Sequence, residues 1–397
     1  TACRGGGDVA TGPAIDLTTG RGTLVANPPV TLASMPTAAD VSATFSASAT
    51  GRNLLAIAGT PKCGINFHYM EYNTVGGKGE ATNATGGIMV PKGTDAACTG
   101  ARPVLLYSHG TTVEKGYNIA SPANSEAALL AAMYAAQGFI VVTSNYAGYD
   151  ASRLPYHPYL NAEQQSNDMV DALRAARKAF PNIGASDSGK LFLSGYSQGG
   201  HVAMATHRAM QTTYSSEFKV TAAGPMSGPY SLVKTFQTVY AGGVNAGATV
   251  FTPMILTSWQ MAYGNMYTST SDVYETPYAS GIETLLPGAL TFNQLFTTGK
   301  LPTKLFASGA LVTGDPSLDA LFAAGVGTPN LLKQSYRQAV LSNPQHPAWV
   351  AAAKNDLLGW TPTRPIAMCF GAQDPTVYGT NTVDAAASVA SKGASSL

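Results

Sequence analysis

Charged residues are scarce in this sequence, because Lys, Arg, Asp and Glu make up only 11% of its 397 residues, less than half of the usual share. The formal net charge is +1, so the chain offers no basic surface for nucleic acid as a partner. No apolar run reaches the roughly 18 residues that a transmembrane helix needs. The histidines lack the paired spacing of zinc sites, so we expect neither a metal nor another cofactor.

Cysteines are also few, at four. Cys63 opens a strand-like run (64–73), and Cys98 follows a second one (80–91). The start of one antiparallel strand lies near the end of the next, so Cys63 and Cys98 are predicted to form a disulfide, as in exported proteins. Cys369, within an apolar run, is expected to be buried as a small hydrophobic residue.

The N-terminus begins Thr1-Ala2-Cys3. Small residues before a cysteine resemble the end of a bacterial lipoprotein signal, whose charged and apolar regions would then precede Thr1. The segment after Cys3 is rich in Gly and Thr, as a tether would be. We therefore expect an exported protein of the bacterial cell envelope, attached to a membrane only through lipid on Cys3. The alternatives are a secreted form and an ordinary unpaired cysteine in a flexible terminus.

Strand-like and helix-like segments alternate through the first half of the chain. The apolar runs 104–107 and 139–142 flank an Ala/Leu-rich helical stretch (125–137), and a long amphipathic helix is predicted over 162–180. Asn161 is its expected N-cap. This alternation favours a mostly parallel sheet with helices on both faces.

The alternation stops at about residue 230 and resumes with a strand-like run at 365–370. Between them the chain is rich in Tyr, Met, Gly and Pro, which suggests an inserted cap, or lid, that could exclude water from a site; a purely structural insertion is the alternative. Short helices are expected there at 317–324 and 331–342. The predicted organisation is a tether and strap (1–50), a core (51–229), the cap (230–363) and the rest of the core, incomplete at its C-terminus (364–397).

The sequence GYSQG at residues 195–199 is the most informative motif. It lies between a strand-like run (190–194) and a helix-like run (201–213). A serine on a sharp strand-to-helix turn is strained and exposed, so its hydroxyl can meet a substrate carbonyl. Glycines two positions away on either side avoid collisions across the turn. The motif predicts that Ser197 is the nucleophile of a nucleophile elbow; the alternative is a Gly-rich turn without chemistry.

The groups that would assist Ser197 can also be located. Asp374 directly follows the strand-like run 365–370, which places its carboxylate at the same sheet edge as the elbow and predicts the acid of a catalytic triad. An oxyanion hole needs two N–H donors. We expect one from the backbone of Gln198 and the other from Gly110 or Thr111, which follow the strand at 104–107.

The base is missing from the pattern, because no histidine follows Asp374 before Leu397, whereas the chain order in this fold class is Ser, acid, His. His346 is the least implausible substitute among the upstream histidines, and His109 is expected to pack locally. We expect the triad histidine beyond Leu397, after one more strand. The six histidines in the sequence are His68, His109, His157, His201, His207 and His346.

Taken together, these motifs resemble those of the secretory lipase and carboxylesterase type of α/β-hydrolase, a group that includes fungal lipase A and many exported bacterial esterases. The similarity covers roughly residues 60–380 and includes the elbow and the inserted cap. It implies an α/β-hydrolase fold, Ser197 as nucleophile and Asp374 as acid. The matching segments are GGIMVP at 86–91, YSHGT at 107–111, GYSQGG at 195–200 and GAQD at 371–374.

The sequence therefore predicts a serine carboxylic ester hydrolase that acts through an acyl-enzyme on neutral or apolar esters, since the chain has no basic cluster for acidic ones. Two alternatives remain at this point. One is a non-catalytic ligand-binding relative that lacks the base, and the other is a peptidase or acyltransferase on the same fold.

Overall fold

The computed structural model describes residues 20–307, 310–311 and 329–392. Its main sheet has seven strands in the order β1-β2-β3-β5-β4-β6-β7. The pairings of β1 with β2, of β2 with β3 and of β3 with β5 are antiparallel. The strands β5, β4, β6 and β7 run parallel to one another. The strands are β1 (Val30–Met35), β2 (Gly64–Val75), β3 (Ala81–Lys92), β4 (Arg102–Ser108), β5 (Ile140–Ser144), β6 (Asp187–Tyr196) and β7 (Val220–Met226).

Helices cover both faces of this sheet. Buried side chains of α4 and α5 pack on one face, and those of α1 and α3 pack on the other, which confirms the predicted fold class. These five N-terminal helices are α1 (Ala38–Ser46), α2 (Ala49–Ala58), α3 (Ser125–Met133), α4 (Ala162–Ala179) and α5 (Gln198–Gln211).

Helix α4 follows the sequence prediction closely. Its N-cap is Asn161, whose side chain accepts the N–H of Gln164, satisfying one of the free donors of the first turn. Met169 and Leu173 are fully buried on its inner face. Local sequence signals were therefore sufficient to define this helix.

A second hydrophobic core belongs mainly to residues 232–352. Trp259 and Met266 are buried in it, and the predicted helix at 331–342 is present, although shorter. The predicted helix at 317–324 lies outside the described residues, and the cap boundaries stay a prediction. The elements are α6 (Leu232–Ala241), β8 (Gly243–Val244), α7 (Ala248–Tyr263), α8 (Thr270–Val273), α9 (Thr276–Ala279), α10 (Ile282–Leu285), α11 (Phe292–Thr297), β9 (Ala310–Leu311), α12 (Gln334–Ser342) and α13 (Pro347–Asn355).

The chain returns to the main sheet at 365–370, where parallel bridges join Ile366 to Ala223 and Cys369 to Met226. This segment is therefore an eighth strand position beside β7, as predicted, and helix α14 (Thr380–Ala390) follows it.

The cysteine predictions had different outcomes. The disulfide between Cys63 and Cys98 is confirmed, with a Cα–Cα distance of 5.5 Å. The expected burial of Cys369 is wrong, because its side chain is exposed. Within the described residues no strand pairs with the outer edge of the segment that carries it. An apolar run alone does not reveal that edge position.

Residues 30–58 contain regular structure that the sequence pattern did not indicate. Strand β1 pairs antiparallel with β2, and α1 begins with a capping box between Thr37 and Asp40. The side chains of β1 are mostly exposed, so this edge strand carries no apolar alternation. In the described part of the chain, no helix combines the length and apolar character needed to cross a membrane.

Candidate active site

Ser197 lies at the junction of β6 and α5, as the elbow motif predicted. Its backbone has φ 58° and ψ −121°, a left-handed conformation that costs a non-glycine residue about 1–3 kcal/mol. The Ser197 N–H donates to the carbonyl of Met226 on β7 (3.0 Å), which holds the turn against the sheet. The side chain is partly exposed. Helix α5 begins directly at Gln198, three residues earlier than the sequence pattern indicated.

The glycines of the motif are required by contacts across this turn. A Cβ atom at Gly199 would collide with the carbonyl oxygen of Ser108 on β4, and one at Gly195 would collide with the carbonyl of Gly199. Gly200 likewise has no room for a Cβ beside the carbonyl of Met226. The turn is therefore packed against the ends of both neighbouring strands, which fixes where Ser197 points.

Asp374 lies in the turn that follows the eighth strand position. Its Oδ1 accepts the backbone N–H groups of Thr376 (2.9 Å) and Val377 (3.0 Å), so the carboxylate is oriented by its own turn. Thr376 lines two clefts together with Ser197. Tyr196 is the neighbour of Ser197. Its pKa is raised mainly by burial and to a smaller extent by the negative charges of Asp374 and Glu126. Asp374 is thus at the rim of the sheet where the elbow opens.

The six histidines are all in the described part of the chain, and no hydrogen bond there joins the side chain of any of them to Ser197 or Asp374. The backbone N–H of His201 donates to the carbonyl of Ser197 (3.3 Å) as part of the first turn of α5. Burial lowers the pKa of His201 and of His207 to about 4, which keeps both neutral. His346 is the N-cap residue of α13, where its Nδ1 accepts the N–H of Ala348 (3.2 Å). His346 is therefore engaged at the start of its own helix, and it lines neither cleft beside Ser197. No group of three or more potential metal ligands is present among the described residues.

Buried tyrosines hold the loop that follows β4. The hydroxyl of Tyr146 donates to the carbonyl of His109 (2.8 Å), and that of Tyr149 donates to the carbonyl of Thr112 (2.6 Å). The ring of His109 stacks on Tyr146, with 4.1 Å between centroids, and its two nitrogens contact backbone carbonyls. His109 is therefore a local packing residue, as predicted. The Tyr-rich stretch 146–159 was the only sequence signal for these tyrosine contacts.

The two expected donors in this loop differ. The Gly110 N–H donates to Oε1 of Glu126 (3.2 Å) and is thus already engaged. The Thr111 N–H has no acceptor among the described residues, and its side-chain Oγ1 is hydrogen-bonded to the hydroxyl of Tyr159 (2.8 Å). The geometry favours Thr111 over Gly110 as a donor to a bound group. The sequence pattern did not indicate that Glu126 accepts a hydrogen bond from this loop.

Ser197 opens onto two clefts of different character. The first is walled largely by apolar side chains of the second core. The second is bordered by the 110–114 loop, Glu126 and Tyr196. The apolar lining of the first cleft includes Leu232, Phe236, Val239, Phe251, Ile255 and Leu256.

Comparison with known proteins agrees with this geometry. A profile of the secretory lipase family matches residues 119–272. The rice cell wall degrading esterase LipA from Xanthomonas oryzae is 30% identical in sequence, with a TM-score of 0.78, over 95% of this chain and 90% of that one. No curated protein sequence matches the chain.

Two more distant structures share the fold. A Legionella pneumophila protein is 20% identical, with a TM-score of 0.73, over 94% of this chain and 91% of its own. Candida antarctica lipase A is 14% identical, with a TM-score of 0.59, over 96% of this chain and 76% of its own. Because the similarity to LipA extends over nearly the whole of both chains and the family profile spans the elbow, this chain belongs to the secretory lipase family, whose members are ester-cleaving α/β-hydrolases.

Proposed function

We propose that the protein is a serine carboxylic ester hydrolase that works through an acyl-enzyme, with Ser197 as nucleophile and Asp374 as the triad acid. The observation that carries this proposal is the strained conformation of Ser197 at the mouth of two clefts. Ser197 Oγ attacks the ester carbonyl and passes its proton to an imidazole, which returns it to the departing alcohol. Water then attacks the acyl-serine with the same base.

We propose the backbone N–H groups of Gln198 and Thr111 as the oxyanion donors. Gln198 is the first residue of α5, where the N–H has no intrahelical acceptor and the helix dipole favours negative charge. The Thr111 N–H is likewise free of acceptors among the described residues. Gly110 is the weaker candidate, because its N–H already donates to Glu126.

For the base we propose a histidine that follows Leu397 in the full protein. The support is that no histidine side chain in the described part hydrogen-bonds to Ser197 or Asp374, and that none lines either cleft beside Ser197. The absence of a histidine side chain at Ser197 and Asp374 also supports an alternative function, that of a non-catalytic ligand-binding relative. Reading the encoding gene past the codon for Leu397 separates the two, because the enzyme requires a histidine there.

A fluorophosphonate probe tests the proposed reaction directly. Reaction of the full-length native protein, mapped to Ser197 by peptide mass spectrometry, is the result expected for an activated serine. A folded protein that is not labelled would contradict the hydrolase proposal and favour the binding alternative. A panel of ester, amide and acyl-acceptor substrates then separates an esterase from a peptidase or an acyltransferase.

The substrates proposed are neutral or apolar esters, with the acyl chain in the apolar cleft. That cleft is lined by aliphatic and aromatic side chains of α6 and α7, and Ser197 and Gln198 are also part of its lining. Burial of a chain there would gain about 0.8 kcal/mol per methylene group. The more polar second cleft would then receive the alcohol.

Thr252→Trp is expected to narrow the apolar cleft, which Thr252 lines from α7. We expect kcat/KM for an octanoate ester to fall about 10-fold or more relative to that for an acetate ester, because the longer chain loses several methylene contacts. The measurement is kcat/KM for p-nitrophenyl esters of increasing acyl length. Val350→Trp, at an exposed position of α13, is the control. An unchanged chain-length profile in Thr252→Trp would place the acyl chain elsewhere.

We also propose that the protein is exported and carries lipid on Cys3, which lies outside the described residues. The secretory lipase family supports export, and the Gly/Thr-rich segment after Cys3 supports a tether. Mass spectrometry of the mature N-terminus tests this, because an unmodified Cys3 would contradict lipidation without affecting the rest of the proposal.

A further inference from the structure

His157 is a buried histidine that contacts the residue after Ser197. It lies in the loop between β5 and α4, and its Nδ1 is 2.9 Å from the carbonyl oxygen of Ala147. A carbonyl can only accept, so Nδ1 carries a proton. Its Nε2 is 2.7 Å from Nε2 of the Gln198 side chain. In the neutral ring this second nitrogen has a lone pair and accepts the amide N–H.

The surroundings of His157 keep the ring neutral and fixed. Burial lowers the pKa of His157 to about 3, which outweighs the opposite effect of the bond to Ala147. The ring stacks on Tyr146 (5.5 Å between centroids) and packs against Tyr149 (4.7 Å). If the Gln198 amide were rotated by 180°, its oxygen would face the lone pair of His157 Nε2, which is repulsive. The amide therefore has one favourable orientation.

The carbonyl that orients His157 is held in turn. The N–H of Ala147 donates to Oδ2 of Asp168 (2.7 Å), a fully buried carboxylate on α4. The other oxygen of Asp168 accepts the hydroxyl of Tyr72 (2.6 Å). An unbroken series of hydrogen bonds therefore connects the interior of α4, through His157, to the first residue of α5.

We infer that His157 is a positioning residue, which anchors the Gln198 side chain and so fixes the backbone N–H that follows the nucleophile. The inference rests on the proposed function, in which that N–H is an oxyanion donor. Such donors act only when their geometry is set in advance. Loss of a whole donor typically costs about 10²–10³ in kcat. Loss of its anchor should cost less, so we expect a fall of about 10-fold to 100-fold.

The test compares His157→Phe, Gln198→Met and the double variant. His157→Phe keeps an aromatic ring between the tyrosines but removes the acceptor. We expect kcat to fall by a similar factor in each single variant, with KM nearly unchanged, and the double variant to be no slower than the slower single one. His201→Phe is the matched control, because His201 is equally buried on α5 but contacts the carbonyl of Asn355.

Two results would overturn the inference. One is a folded His157→Phe whose kcat matches that of His201→Phe, and the other is a double variant whose loss equals the product of the single losses. Should His157→Phe not fold, two other measurements decide. Nitrogen NMR of the wild-type protein should show His157 protonated at Nδ1 alone, and Gln198→Met should still lower kcat; failure of either contradicts the inference. Fluorophosphonate labelling of the wild-type protein reports separately on the proposed function.

Discussion

Replacing Ser197 by alanine is expected to lower kcat for a short acyl ester about 10⁴-fold or more, since removal of the nucleophile leaves only binding and the oxyanion donors. The Ser197 side chain has no hydrogen-bond partner among the described residues. The variant should therefore retain the melting temperature of the wild-type protein. The measurements are kcat for p-nitrophenyl butyrate, fluorophosphonate labelling and thermal unfolding, all on the full-length protein.

Ser194→Ala is the matched control for this experiment. Ser194 lies on β6, three residues before Ser197, and its hydroxyl donates to the carbonyl of Gly224 (2.7 Å). We expect a stability loss of about 1 kcal/mol but retention of kcat. A Ser197→Ala protein that still turned over the ester at the Ser194→Ala rate would show that the reaction uses another nucleophile.

Asp374→Asn is expected to lower kcat/KM about 10³–10⁴-fold, because an amide can neither hold the base in its productive tautomer nor stabilise the imidazolium that forms. The substitution keeps an Oδ1 acceptor for the N–H groups of Thr376 and Val377, so the turn should persist. The measurement is kcat/KM for the same ester, with circular dichroism to confirm that the variant is folded.

The control for Asp374 is Asp384→Asn. Asp384 is on α14, ten residues later, and forms an exposed ion pair with Lys234 (2.8 Å). Exposed pairs contribute about 0–1 kcal/mol, so we expect activity within about twofold of wild type. If Asp374→Asn and Asp384→Asn were equally active, Asp374 would not be the acid of the proposed triad, and another group would have to orient the base.

Where a signal is local, the sequence alone was a good guide. Asn161 and the apolar spacing of Met169 and Leu173 defined α4, because an N-cap and a helical period act within a few residues. The elbow was predicted for the same reason, since the glycines around Ser197 serve the turn in which they lie. The placement of Asp374 followed from a rule on strand ends. Its catalytic role, like that of Ser197, stays a prediction.

Features that depend on a partner distant in sequence were missed or misjudged. Strand β1 is recognisable only once β2 is beside it, since its own side chains are mostly exposed. Cys369 was expected to be buried because its run is apolar, yet exposure depends on which strands pair with that edge. His157 gave no sign of its contact with Gln198, which is distant in sequence.

The sequence by itself determined the α/β-hydrolase class of the chain and the place of the elbow, through a serine between glycines on a strand-to-helix turn and a carboxylate after a later strand. Tertiary structure alone decided which loop N–H is free to act, because the engagement of Gly110 by Glu126 joins separate elements. It also decided that no side chain among the six histidines hydrogen-bonds to Ser197. Burial and hydrogen bonds between remote segments depend on how the elements pack, and a one-dimensional pattern does not contain that information.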